Sequence, residues 1–184
     1  HGGLEKLVVG YASIAAFSPG IIDGWITCFC KTGPYAHRSE YDFLMQGMGG
    51  LMSIAGKPDG SPGGGRKRVG VAVCDLFTGM FAANAALAAL AYRSRTGIGQ
   101  HIDCALLDSQ ISMLANQSAN WLNAEICPDR MGNSHPSVVP YTVYEAKDGF
   151  VIIACGNDKQ FIRLTAALGI PALADDDDFA SNDA

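Results

Sequence analysis

The chain has 184 residues, of which 48% are hydrophobic and 17% charged, and its formal net charge is −5. This composition excludes a disordered chain and gives no reason to expect nucleic acid as a partner. No stretch reaches the roughly 18 consecutive apolar residues of a membrane span, and no secretory signal is recognisable, so we expect no membrane association. A cytoplasmic location follows by default, or a mitochondrial one if the source is eukaryotic.

The two ends of the sequence suggest a piece of a larger protein. The chain begins His1-Gly2-Gly3 without an initiator Met and stops in an acidic, turn-like stretch. Its six cysteines form no C-x-x-C pair, and Cys74, Cys104 and Cys155 lie in or after apolar runs, which predicts reduced core thiols. The histidines lack the spacing of a helical zinc site, so no metal site is expected.

The first third of the chain mixes apolar runs with Pro and Gly. Residues 6–17, "KLVVGYASIAAF", begin as a β-rich run, and residues 18–40 are punctuated like a long loop. Residues 41–56 then space their apolar residues as in a helix, although Gly47, Gly49 and Gly50 each cost about 1 kcal/mol there. Such a cost predicts that something packs close to this backbone.

The middle of the chain alternates between strand and helix signals. Residues 57–68, "KPDGSPGGGRKR", form a polar connection that lacks the Gly-Lys-Ser/Thr of a phosphate loop. A strand at 69–74, a helix at about 77–92, a strand at 100–106 and a helix to about 124 follow. This alternation predicts βα units with a parallel sheet.

Composition changes near residue 127, where we place a domain boundary. A linker is followed by a predicted hairpin, in which "YTVYEA" and "FVIIAC" flank Lys147-Asp148-Gly149, and then by a helix from about residue 157. Residues 1–126 and 127–184 are thus predicted to be two parts of an α/β protein.

Asp75, in "VGVAVCDLFTGM", allows two interpretations. Aspartate is among the best helix N-cap residues, and its side chain could accept a hydrogen bond from the turn that follows. The same carboxylate, at the carboxyl end of a parallel strand, would lie at the usual binding edge of an α/β sheet and could attack an activated carbonyl. Local pattern favours the cap, and both interpretations place Asp75 at the end of a strand.

Three long segments carry a family resemblance. They are "GPYAHRSEYDFLMQGMGGLMSIAGKPDG", the stretch from Val69 that contains "CDLFTGM", and "RMGNSHPSVVPYTVYEAKDGFVIIACGNDKQF". Over about residues 32–184 the chain resembles the class III CoA-transferases of the formyl-CoA and carnitine type. The resemblance implies a partial Rossmann-like, CoA-binding large domain at 1–126 and, after a linker, the start of a smaller α+β domain within 127–184. It also implies an interlocked homodimer.

The resemblance assigns a role to Asp75. The family nucleophile occupies this position, so Asp75 would attack an acyl-CoA thioester to give a mixed anhydride and then an aspartyl-CoA thioester, from which an incoming carboxylate takes up the CoA. An anhydride retains the activation of the thioester if water is excluded. Acyl-CoA and a free carboxylic acid are the implied substrates, with CoA as cosubstrate and no other cofactor.

Other family positions fall on Tyr41, near the CoA and the nucleophile, and on Gly132 and Asn133, where a glycine-rich loop closes over the site. The related α-methylacyl-CoA racemases have His where this chain has Tyr41, and tyrosine is a poor base at neutral pH. A racemase is therefore the weaker alternative. A non-catalytic, truncated chain is the other.

One segment departs from the family pattern. The family runs from a "Y-x-S-I" strand almost directly into "G-F-G-Q-T-G-P-Y", whereas here the stretch between "YASI" and Thr32-Gly33-Pro34-Tyr35 contains about ten additional residues, with Lys31 in place of Gln. We therefore hypothesise an insertion at about 18–31, of the kind that an unremoved intron translated in frame would produce.

Overall fold

The structure is a computed structural model that describes residues 10–179 and residue 181. Contacts divide the chain into two compact units: unit 1 comprises His1–Ala55 with Arg66–Asp129, and unit 2 comprises Gly56–Gly65 with Arg130–Ala184. Helices and strands are mixed in the described residues of both, so the predicted α/β class is confirmed. The assignment of residues 1–126 and 127–184 to a large and a small domain stays a prediction.

Unit 1 contains a two-stranded parallel sheet, formed by β1 (Asp23–Thr27) and β2 (His101–Ala105). The register pairs Asp23 with His101, and β2 agrees with its predicted position. The long loop predicted for residues 18–40 is wrong where β1 lies, because pairing with a strand 78 residues away overrides the local Pro and Gly signals.

Helix α1 (Tyr11–Phe17) occupies part of the run predicted to be β-rich, while residues 6–9 lie outside the described residues. "YASI" is therefore the start of a helix, and the strand that precedes Thr32-Gly33-Pro34-Tyr35 is β1. The segment at 18–31 thus supplies a sheet strand and Phe29 of the core, and the insertion hypothesis stays a prediction.

Helix α2 (Asp42–Met48) and the short helix α3 (Leu51–Ile54) replace the single helix predicted at 41–56. The break lies at Gly49 and Gly50, and Gly50 has a φ of 91°, which only glycine adopts readily. A Cβ on Gly49 would lie 1.2 Å from Oε1 of Gln110. The predicted close packing against this glycine backbone is therefore confirmed at Gly49.

Helix α4 (Val73–Thr96) begins four residues earlier than predicted, and the strand predicted at 69–74 is wrong. Residues 69–72 form no regular element, and Gly97 ends α4 with a φ of 75°. By length and composition alone α4 could cross a membrane, with a mean hydropathy of 1.6 and 17% of its apolar window buried. Core helices of soluble proteins meet the same criterion.

Helix α5 (Leu106–Ser112) follows β2 directly, and α6 (Asn116–Ala124) completes the helical part of unit 1. A cluster of buried side chains joins these elements: Phe29, Met45, Cys74 and Leu106. All six cysteines are free, with Cys74 and Cys155 buried. The core thus packs the start of α4 against α2 and α5.

Unit 2 contains an antiparallel hairpin of β3 (Tyr141–Ala146) and β4 (Gly149–Ala154), as predicted. Helix α7 (Asp158–Ala167) follows, and its N-cap residue Asn157 accepts a hydrogen bond from the backbone N–H of Gln160. Two 3₁₀ turns, Pro171–Asp175 and Asp177–Phe179, end the described chain apart from residue 181.

Candidate active site

Asp75 is the third residue of α4 and is exposed to solvent. The predicted N-cap and the predicted strand end are both wrong, because the N-cap residue is Ala72, which makes no side-chain capping bond, and Asp75 does not follow a strand. The role of Asp75 as nucleophile stays a prediction. Its carboxylate lies in the first turn of α4, where the helix dipole favours a negative charge. The helix dipole therefore favours the ionised carboxylate, although Asp75 lies within the first turn of the helix and not at the end of a strand before it.

Asp42 supplies the missing cap, and sequence reasoning did not identify it. Its Oδ1 accepts a hydrogen bond from the backbone N–H of Cys74 at 2.8 Å, and its Oδ2 accepts one from Nε2 of Gln46 at 2.7 Å. The side chain of Asp42 is buried. Asp42 and Gln46 have the i, i+4 spacing of a helical hydrogen-bonded pair, so the sequence could have indicated the bond between them, but no local signal indicates the bond to Cys74, 32 residues away.

Gln46 fixes the segment that leads into α4. Its side chain is fully buried; Oε1 accepts a hydrogen bond from the backbone N–H of Val69 at 2.8 Å, and Nε2 also donates to the carbonyl of Val71 at 3.3 Å. These bonds satisfy backbone groups that a sheet would otherwise pair. They explain why residues 69–72, which directly precede α4, form no strand although valine recurs at alternate positions there.

The surroundings of Asp75 raise the pKa of its carboxyl above the ordinary value, first through partial desolvation and second through the negative charge of Asp42. The α4 dipole acts in the opposite direction. Burial, with Asp42 second, raises the pKa of the adjacent Cys74 to about 12. Cys74 therefore remains a thiol at neutral pH, and the carboxylate of Asp75 is the more available nucleophile of the two.

Tyr41 is the N-cap residue of α2, and its side chain is 85% exposed. It precedes Asp42, just as Cys74 precedes Asp75, so the hydrogen bond between Asp42 and Cys74 brings two predicted site residues into one region of unit 1. The exposed Tyr41 ring is available to a bound molecule.

Gly132 and Asn133 belong to unit 2, in an exposed turn. Gly132 has a φ of 65°, and its backbone N–H donates to the carbonyl of Gly56 at 3.0 Å. Nearby in the same unit, Arg130 forms an ion pair with Asp59. The turn is thus anchored to residues 56–59, while the CoA-binding role of Gly132 and Asn133 stays a prediction.

The family described as "CoA-transferase family III" matches residues 1–184, including the segment at 18–31. The chain belongs to this family. A member of the CAIB/BAIF family from Brucella suis, whose structure is solved, is 49% identical with a TM-score of 0.76, and the match covers 98% of this chain and 47% of that one.

Two curated relatives of this CoA-transferase family III chain are CoA-transferases. "Succinate--glutarate CoA-transferase" from Agrobacterium fabrum is 50% identical over 99% of this chain and 44% of its own length. "Succinyl-CoA:glutarate CoA-transferase" from Mus musculus is 42% identical over 98% of this chain and 41% of its own length. The chain therefore spans less than half the length of these relatives.

Proposed function

We propose that the whole protein is an acyl-CoA:carboxylate CoA-transferase, which moves CoA from an acyl-CoA to a free carboxylic acid. The observation that carries the proposal is the exposed carboxylate of Asp75 in the first turn of α4, held beside the buried Asp42 in a chain of this family. The relatives' names mention succinate and glutarate, so a small dicarboxylic acid is the proposed acceptor.

In the proposed reaction, an oxygen of Asp75 attacks the thioester carbonyl carbon, the C–S bond breaks, and a mixed anhydride and CoA thiolate form. The thiolate attacks the Asp75 carbonyl carbon, which releases the donor acid and leaves an aspartyl-CoA thioester. The acceptor carboxylate then attacks this thioester to give a new anhydride and thiolate. Attack of the thiolate on the acceptor's carbonyl carbon yields the new acyl-CoA and frees Asp75.

The raised pKa of Asp75 supports this role, because a more basic carboxylate is a better nucleophile once ionised. Cys74 does not compete, since its own pKa of about 12 keeps the thiol protonated. The fixed start of α4 limits the reorganisation that an attack would require.

CoA itself is the proposed cosubstrate, without a metal or redox cofactor, and Tyr41, Gly132 and Asn133 are its proposed contacts. Among these, the 85% exposed side chain of Tyr41 could pack along a pantetheine chain. A cytoplasmic location, or a mitochondrial one in a eukaryote, remains part of the proposal.

The proposed assembly is an interlocked homodimer. Its support is the apolar surface of α4, where large side chains are exposed in the described residues. They are Leu76, Phe77, Met80, Phe81, Leu87 and Leu90. Burial of such a surface is a strong driving force for association.

The racemase alternative is not favoured, because Tyr41 stands where its histidine base is required. An inactive fragment is the other alternative, and the experiment below distinguishes all three.

The test is hydroxylamine trapping in the whole protein during turnover with succinyl-CoA. An acylated Asp75 reacts with hydroxylamine, so peptide mapping should find Asp75 as the hydroxamate, and Asp75→Asn should abolish both labelling and transfer. Exchange of the α-proton of a 2-methylacyl-CoA without any acceptor would instead support a racemase. Turnover with no modified Asp75 would refute the anhydride mechanism, and a folded protein with no reaction at all would support the inactive alternative.

A further inference from the structure

Arg68 lies in the segment that leads into α4, and an aromatic ring of α2 orients its guanidinium. Its Cζ is 5.7 Å from the centroid of the Phe43 ring, and in the described part of the chain its guanidinium makes no hydrogen bond or ion pair. A guanidinium over an aromatic face keeps the N–H groups at its edge available. Arg68 is thus oriented by a contact that does not neutralise it.

Two contacts fix Arg68 relative to α2, the helix that also binds the start of α4. The following residue, Val69, donates its backbone N–H to Gln46, and Phe43 directly follows Asp42 in α2. The same Asp42 accepts the hydrogen bond from Cys74 that fixes the start of α4. Arg68 is therefore connected to the segment that carries Asp75 through two side-chain contacts.

The neighbouring cations, Arg66 and Lys67, are exposed like Arg68, but no aromatic ring orients them in the described residues. The backbone N–H of Lys67 donates to the carbonyl of Ala55, and its ammonium group makes no ring contact or ion pair within the described part of the chain. Arg68 is therefore the cation whose position the structure specifies, and Lys67 is a matched control for charge in the same segment.

The charges around Asp75 create a need for a cation. The buried Asp42 places a carboxylate beside the start of α4, so a dianionic acceptor that attacks the aspartyl-CoA thioester with one carboxylate is favoured by a cation at its other end. An arginine binds a carboxylate through two parallel hydrogen bonds, which gives orientation as well as affinity.

We propose that Arg68 binds the distal carboxylate of a dicarboxylate acceptor while the other carboxylate reacts at the Asp75 centre. This inference rests on the proposed CoA-transfer function and assigns the specificity of that function to one residue. A monocarboxylate of the same length gains nothing from Arg68, so the residue selects between two classes of acid.

The experiment compares the acceptors glutarate and pentanoate in the whole protein, in the wild type and in Arg68→Gln, Arg68→Lys and Lys67→Gln. Loss of a bidentate, charge-assisted contact should raise KM for glutarate by roughly ten- to a hundredfold in Arg68→Gln, with KM for pentanoate unchanged. Arg68→Lys should recover part of the loss because it restores the charge, and Lys67→Gln should behave like the wild type.

The CoA phosphates are the other anions that could use Arg68. If KM rises equally for both acids in Arg68→Gln, and calorimetry shows a higher Kd for CoA, the proposal is overturned in favour of a phosphate contact. An unchanged KM for glutarate would overturn it as well.

A measurement on the wild type keeps the inference testable if Arg68→Gln does not fold. Glutarate should have a KM roughly ten- to a hundredfold below that of its monomethyl ester, and equal values would overturn the proposal. Absence of transfer from wild type to any acid is a different result, because it refutes the proposed function itself.

Discussion

The buried carboxylate of Asp42 accepts a hydrogen bond from the backbone N–H of Cys74 at 2.8 Å, although 32 residues separate the two in sequence. Asp42 thereby caps the helix that carries Asp75 and also places a negative charge near it. One side chain thus contributes to the geometry and to the electrostatics of the candidate nucleophile.

We expect Asp42→Asn to shift the pH dependence of transfer. Asp75 must be ionised to attack, so the rate falls as the pH drops through its pKa, which desolvation and then Asp42 raise. Removing the charge of Asp42 lowers that pKa, and the acid limb of the kcat profile should move to lower pH. Stopped-flow rates across the acidic range would measure this.

Asp148→Asn, in the hairpin turn of unit 2, is the matched control and should leave the acid limb in place. A shift of the limb to higher pH in Asp42→Asn would contradict the electrostatic assignment. Loss of the bond to Gln46 should also destabilise the variant by roughly 1–3 kcal/mol, which urea unfolding would detect.

Two fully buried glutamines should respond oppositely to the same substitution. Gln46 makes three hydrogen bonds, whereas neither amide atom of Gln110 has a partner within the described residues. Gln46→Met should cost about 2 kcal/mol or more, and Gln110→Met should be neutral or stabilising by about 1 kcal/mol. Urea midpoints that fall equally in both variants would contradict this prediction.

Gly99 should not tolerate a side chain. A Cβ there would lie 1.7 Å from the carbonyl oxygen of Ile21, a backbone atom that cannot rotate away. Gly99→Ala should therefore destabilise the protein by roughly 1–3 kcal/mol or more. Gly24→Ala, in β1, is the control, because no atom lies within 4 Å of its added Cβ. Equal melting temperatures for the two variants would argue against the close approach of these segments.

The apolar surface of α4 predicts self-association. Leu87 is 64% exposed, and a partner that covers it stabilises the folded state by mass action. The melting temperature should therefore rise with protein concentration over a hundredfold range, and Leu87→Glu should weaken that dependence. A concentration-independent melting temperature, combined with binding to lipid vesicles, would instead indicate that α4 contacts a membrane.

The elements that sequence reasoning predicted correctly depend on local signals. The hairpin β3–β4 has β-rich runs on either side of a two-residue turn at Lys147-Asp148, and α2 follows helical spacing up to Gly49. Such signals are contained within a few residues, so they can be read directly from the chain.

The predictions were wrong where side chains distant in sequence determine the backbone conformation. Residues 69–74 alternate like a strand, but Gln46 and Asp42 bind the backbone of Val69 and Cys74 and start a helix there instead. Asp75 was therefore identified through family resemblance, while its local structure was predicted wrongly. Asp42 was missed because its partner lies outside any local window.

The parallel pairing of β1 with β2 has a consequence for folding kinetics. Asp23 pairs with His101, so about 78 residues must be enclosed in a loop before the first sheet contact of unit 1 forms. The hairpin of unit 2 requires closure of only a two-residue turn. On a ribosome, β1 emerges long before β2, its partner among the described residues, so this pairing must form later than the closure of a local hairpin would require.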